Sequence, residues 1–347
     1  MADTALSTIE ARAAQLHEAE NKGAFRLVRA CDMEFKAPSW LVRGVLESDS
    51  TALVFGDPAA GKSLLALEIG ASLSVGCAFH GHEVKQSPVI YIAGEGGNGL
   101  RRRTRAWEIA RGHSLEGAPL FMSTKATALT DMEEAEAVVT EVDAVAREHG
   151  SPGLVVVDTV ARNFGAGDEN STQDMGAFIA AADRIRARYA CTVLLVHHTG
   201  HGDKSRARGA MALKGALDAE YRLEKDDDGT VRMTATKMKD AAEPEPLAFR
   251  IAEVELDLVD DRGEPVTSAV LDRIDFCRPA TQRRGKWQCL ALEKLRALGG
   301  TGEEVSLDTW RRACLDDGMP RQRWHEVRDS LTPFDVSIKD GLACLAA

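Results

Sequence analysis

From residue 52 onward, short runs of consecutive apolar residues alternate with longer segments whose apolar positions recur at helical spacing. The runs are "ALVFG" (52–56), "PVIYIAG" (88–94), "PLFMST" (119–124), "LVVVDT" (154–159) and "CTVLLVHHT" (191–199). Helical patterns lie between them, near 62–75, 98–111, 131–149 and 171–189. A strand that is apolar throughout is covered on both faces, so the order predicts a parallel sheet with helices on either side. After residue 218 the apolar period becomes two, in "EYRLEKDDDGTVRMTATK", "LAFRIAEVEL" and "TSAVLDRIDF". These read as antiparallel strands extending the sheet, with Asp228-Gly229 in a hairpin turn.

The flanks differ from this core. Residues 1–36 read as an N-terminal helix and connector, and 37–275 as the α/β domain. Residues 276–285, overlapping the polar, basic "CRPATQRRGK" of 277–286, read as a linker. Beyond it, helices near 286–298, 306–316 and 320–330 precede a strand pair around "FDVSI" and "LACLA". That pattern predicts a small winged-helix-like C-terminal domain over 286–347.

The first apolar strand runs directly into Gly56-Asp57-Pro58-Ala59-Ala60-Gly61-Lys62-Ser63, with Leu64 in the helix that follows. This fits G-x-x-x-x-G-K-[ST] between a strand and a helix, the setting that gives the motif its meaning. Gly56 and Gly61 let backbone N–H groups turn inward around a phosphate, where a Cβ would intrude. Lys62 brings a point charge to the β- and γ-phosphates, Ser63 offers a hydroxyl to Mg²⁺, and the helix N-terminus adds its positive end. The competing reading is an ordinary glycine turn before a helix.

Three further strand ends carry polar groups. Asp158 closes "LVVVDT", where a carboxylate can hold a metal beside Ser63. Residue 159 is Thr, so a water-activating glutamate does not follow it. Glu95, among Gly94, Gly96 and Gly97, sits where a carboxylate can orient the attacking water; the plain alternative is a solvated loop acid. His197 and His198 end "LLVHHT"; alternation sends one toward the crevice and the other into the core. A histidine there can hydrogen-bond a γ-phosphate, or serve only in the core.

Composition narrows the partners. The chain has 347 residues, 43 Lys and Arg against 54 Asp and Glu, and a net charge of −11. That balance argues against coating nucleic acid with the whole surface but leaves room for a local basic channel. Its seven cysteines show no C-x-x-C spacing, which points to reduced thiols rather than a zinc site. No signal peptide or membrane-length apolar run is evident, so a cytoplasmic protein is expected. The densest basic run is "RRRTR", with Arg101, Arg102, Arg103 and Arg105; it suits phosphate tracking, a subunit interface or a solvated helix face.

Together, "GDPAAGKSLLALEIG", "VIYIAGEGGNGLRRRTRAW", "LVVVDTVARNF", "VLLVHHTGHGDKSRARGAMAL" and "ATKMKD" resemble the RecA-like/DnaB-like P-loop ATPases. The nearest likeness is to plasmid and prophage RepA-type hexameric helicases of the AAA_25 group, over about residues 36 to 250. The resemblance implies a RecA-like fold, ATP and Mg²⁺ as ligands, and a homo-oligomeric ring, hexameric in the family, acting on single-stranded DNA. It assigns catalytic or sensor roles to Lys62, Glu95 and His198, and metal ligation to Ser63 and Asp158. An arginine finger reaching a neighbouring subunit falls on Arg208, with Arg206, Lys237 and Lys239 as alternatives. Loops 162–174 and 200–208 become the channel candidates, although Asp168, Glu169 and Asp174 make the first one acidic. The C-terminal segment extends past the short plasmid helicases, and replication-initiation proteins are its expected partners; "MPRQRWHEVRDSL", with Arg321, Arg323 and Arg328, suits a DNA groove or a protein. The rival functions are an ATPase switch, regulator or loader, without unwinding, and a small-molecule kinase.

Overall fold

A computed structural model describes residues 27, 29–32, 37–94, 97–200, 207–209, 211–275, 285–299, 303–332, 336–339 and 341–345. The chain divides into two compact units, Met1–Phe276 and Cys277–Ala347. The expected N-terminal helix falls mostly outside the described residues, where only a 3₁₀ turn at Ala30–Asp32 is described.

The first unit begins with an antiparallel pair, β1 (Trp40–Val42) and β2 (Leu46–Glu47), which the hydrophobic pattern does not reveal. The core follows as β3 (Thr51–Gly56), α1 (Lys62–Val75), β4 (Val89–Ala93), α2 (Gly97–Arg111), β5 (Leu120–Met122) and α3 (Met132–His149). It continues through β6 (Leu154–Asp158), the short α4 (Val160–Asn163), α5 (Thr172–Tyr189), β7 (Thr192–His198) and α6 (Met211–Ala216). Four more strands complete it: β8 (Ala219–Lys225), β9 (Thr230–Met238), β10 (Leu247–Val259) and β11 (Pro265–Ile274).

Among the described residues, β3 to β11 form one sheet in the order β11-β10-β9-β8-β3-β7-β6-β4-β5. β7 thus lies between the strand entering the phosphate loop and the strand ending in Asp158, a RecA-like order. The expectation for the later strands needs one correction: β8 is parallel to β3, and the antiparallel pairing starts at β9. β7 and β8 both run parallel to β3, which lies between them, so they are joined by a crossover and not by a hairpin.

Alternation along each central strand divides the core. Val54, Val156 and Leu194 pack with Leu65 and Ile69 of α1 on one face. Their neighbours Phe55, Val157 and Leu195 pack with Val139 of α3 and Phe178 of α5 on the other. Each such side chain contributes about 1.5–3 kcal/mol when fully buried, so both layers hold β3 and β6 rigidly under the site. The layered helices begin on local signals. Asp131 accepts from the amides of Glu133 and Glu134 at α3, and Ser171 caps α5 through the amide of Asp174.

The second unit contains α7 (Lys286–Gly299), β12 (Val305–Ser306), α8 (Leu307–Asp316), α9 (Trp324–Leu331), β13 (Val336–Lys339) and β14 (Leu342–Leu345). Its strands pair antiparallel in the order β12-β14-β13. Trp310 and Trp324 meet edge to face at the centre of its core, and the Trp310 indole N–H donates to the Ala291 carbonyl. Residues 276–284 of the expected linker lie outside the described residues.

Candidate nucleotide site

β3 delivers Gly56 to the mouth of the sheet, level with His198 of β7 and Leu223 of β8. Only glycine fits there, since a Cβ would stand 2.2 Å from the Leu223 carbonyl oxygen. The loop then turns through two left-handed residues, Ala59 (φ 61°) and Gly61 (φ 93°), before α1 begins at Lys62. Left-handed residues of this kind are what an anion cradle of backbone N–H groups is built from. The Lys62 ammonium donates to the carbonyls of Gly56 (3.0 Å) and Asp57 (2.8 Å), spanning the loop from its far end. The Thr199 hydroxyl donates to the Asp57 carboxylate and ties the loop to the segment after β7.

Beside the loop, the Ser63 hydroxyl donates to Asp158 Oδ1 at 3.1 Å. The buried Tyr91 hydroxyl donates to Asp158 Oδ2 at 2.6 Å. The carboxylate is therefore oriented by two O–H donors, one from α1 and one from β4. Ser63 and Asp158 present adjacent oxygen donors, the hard ligand set that suits Mg²⁺. Tyr91 was not singled out from sequence. It pairs with Val156 while Ala93 pairs with Asp158, so the phenol reaches the acid only once this register is known.

A cleft of about 740 Å³ opens at the loop. Pro58, Ala59, Gly61, Lys62, Ser63 and Leu64 line one side, while Ala60 is buried beneath. Thr159 and His198 line the cleft as well, and His197 is buried on the same strand. Burial and then the neighbouring His198 push His197 down to about 3, so its ring is neutral. Arg103 of α2, Lys225 at the end of β8 and residues of β10 and β11 complete the lining.

The remaining expected groups are distributed differently. Glu95 and Arg206 lie outside the described residues. Arg208 does not line the cleft among the described residues; its Nε lies 3.1 Å from Glu169 Oε2. Lys237 donates to the Lys214 carbonyl at 2.7 Å, and Lys239 lies 3.4 Å from Asp218. In the basic run, Arg105 pairs with Asp257 and Glu108, and Arg101 and Arg102 are exposed. Gly94 has a steric reason to be glycine, because a Cβ there would stand 2.2 Å from Arg162 Cβ.

The acids of loop 162–174 are engaged locally. Glu169 is buried against Arg208, and Asp174 accepts the Asp168 amide. Burial raises the Glu169 pKa, while the Arg208 charge opposes that rise.

A glycine-bounded loop after a parallel strand, its lysine opening the next helix and the adjacent Ser63 meeting Asp158 from two strands away, defines a P-loop ATPase of RecA-like fold. The chain belongs to the AAA_25 family: that family's model, described as an AAA domain, matches residues 20–204, just over half of the chain. Among solved structures, the crystal structure of the RadB recombinase is similar over 59% of this chain and 88% of that chain. The two share 20% identity, with a TM-score of 0.43. No curated protein matches the chain. No described helix is long and apolar enough to cross a membrane.

Proposed function

We propose that this chain is a Mg²⁺-dependent ATP hydrolase that assembles into a ring and acts on single-stranded DNA as a cytoplasmic replicative helicase of a prophage or plasmid. The observation that carries the ATPase reading is the Ser63–Asp158 pair, 3.1 Å apart and adjoining the Lys62 loop. When bound, the metal neutralises charge on the β- and γ-phosphate oxygens. Ser63 and Asp158 hold it, with Tyr91 fixing the carboxylate. Gly56 to Leu64 wrap the phosphates, and Lys62 balances their charge. His198 hydrogen-bonds the terminal phosphate, and Glu95 orients the water.

Arg208 then serves the neighbouring subunit, with Arg206, Lys237 or Lys239 as alternatives for that cation. A trans-acting arginine is worth about 10³–10⁵ in rate in related chemistry. Arg208 lies outside its own chain's cleft and directly follows the Thr199–Ala207 bridge at the base of loop 200–208, which supports a role across an interface. Loops 162–174 and 200–208 face the DNA channel. The second unit's helix–strand–helix–helix–strand–strand order supports a winged helix that docks DNA or replication-initiation proteins.

The test is ATP turnover with and without single-stranded DNA, followed by strand displacement on a forked duplex. DNA-stimulated turnover with displacement supports the motor. Stimulation without displacement would replace it with an ATPase switch, a regulator or loader.

A further inference from the structure

The wall of the cleft facing the phosphate loop belongs to the same chain. β10 and β11 pair along almost their whole length, and their Ile251 and Leu271 side chains reach the loop. A Cβ on Gly61 would lie 3.9 Å from Ile251 Cδ1 and 3.4 Å from Leu271 Cδ2. The hairpin is also clamped from α2. Ala106 packs with Leu256 and Val270. Arg111 joins Glu68 of α1 at 2.7 Å to Asp272 of β11 at 2.9 Å. This wall is therefore fixed to the phosphate-loop helix, rather than hanging free.

Two cations enter the cleft from this side, Arg103 from α2 and Lys225 from the end of β8. Neither side chain makes a hydrogen bond or ion pair among the described residues. On the same helix, Arg105 and Arg111 are both matched by carboxylates. Glu253, Thr267 and Ser268 add polar groups to the lining near the apolar Ile251. An apolar surface beside hydroxyl-binding groups and facing unmatched cations suits a nucleoside with an anionic tail.

Building on the ATP-binding reading above, we infer that the β10–β11 hairpin is the nucleoside wall of the cleft, with Arg103 and Lys225 holding the phosphate chain from within the same subunit. Glu253 accepts from the ribose hydroxyls. Nucleotide binding is then complete in one chain, and a second copy is needed only for hydrolysis.

The test measures ATP and AMP binding by isothermal titration calorimetry to wild type, Arg103→Gln, Lys225→Gln, the double variant and Lys62→Ala. Thermal melts verify folding, and Arg103→Lys and Lys225→Arg retain the charge should a Gln variant melt early. Loss of one charge-assisted contact weakens binding by about tenfold. Each Gln variant is therefore expected to bind ATP about tenfold less tightly, to lose much less affinity for AMP, and to recover in the charge-retaining forms. A double variant within twofold of wild type for ATP, while Lys62→Ala loses binding, would overturn the inference and leave the phosphate loop standing. Unchanged ATP binding by Lys62→Ala would remove the loop assignment, and the inference with it.

Discussion

Ser63 and Asp158, 95 positions apart in sequence, meet at 3.1 Å because the start of α1 and the end of β6 converge at one end of the sheet. Ser63 sits in the first turn of α1 and Asp158 is the last residue of β6. The pair predicts a specific metal phenotype. Ser63→Ala and Asp158→Asn should lower ATP turnover and raise the Mg²⁺ concentration needed for half-maximal rate, with protein folding retained. A Mg²⁺ titration at saturating ATP checks this, and an unchanged midpoint in both variants would detach the pair from the metal.

Tyr91 acts one step further out. Its hydroxyl holds the second Asp158 oxygen at 2.6 Å, and removing an outer-shell partner of this kind typically costs about 10–100-fold in metal affinity or activity. Tyr91→Phe should therefore raise the Mg²⁺ midpoint about tenfold or more while keeping the ring in place. Mn²⁺ binding followed by electron paramagnetic resonance in the presence of ADP gives a readout separate from turnover. Equal Mn²⁺ affinity in the variant would contradict the positioning role.

The paired Arg208 and Glu169 predict a complementation result. Arg208→Ala should bind nucleotide normally yet lose hydrolysis, and Lys62→Ala should lose hydrolysis at its own cleft. Mixing the two variants should restore turnover, because some interfaces then join an intact cleft to an intact arginine. No recovery at any ratio would place the arginine's effect within its own subunit.

Much of the scaffold was legible because it rests on local patterns. The helices α1, α2, α3 and α5 lie within a residue or two of the expected bounds, each having a helical apolar period, and Asp131 and Ser171 cap two of them. The direction of β8 and the packing of β10–β11 against α2 were not legible, since contacts over long sequence separations set them, and the β1–β2 pair is too short to show a period. Arg103 is an intermediate case. Leu100, Thr104 and Trp107 form the buried stripe of α2, and Arg103 flanks it, so helical phase alone could have separated it from exposed Arg101 and Arg102. The contact between Thr199 and Asp57 had no sequence signal, because two loops meet only through the sheet order.

His197 predicts a pH dependence. Its ring is neutral in the folded chain because burial lowers its pKa to about 3, whereas an unfolded histidine titrates near 6.5. The unfolded state therefore takes up the proton first. This contribution to stability is complete above about pH 6.5 and is lost as the pH falls toward 3, at up to roughly 1.4 kcal/mol per pH unit. Urea unfolding of wild type and His197→Gln between pH 7.5 and 5 should show a steeper decline for wild type below pH 6.5. Parallel curves would contradict the buried neutral histidine.

Steady-state ATP hydrolysis by wild type and Lys62→Ala, measured side by side with Mg²⁺ and single-stranded DNA, bears most directly on the site as a whole. The expected result is DNA-stimulated turnover in wild type and its loss in Lys62→Ala, with matching thermal melts. Turnover that persists undiminished in Lys62→Ala would show that the phosphate loop is not where ATP is cleaved.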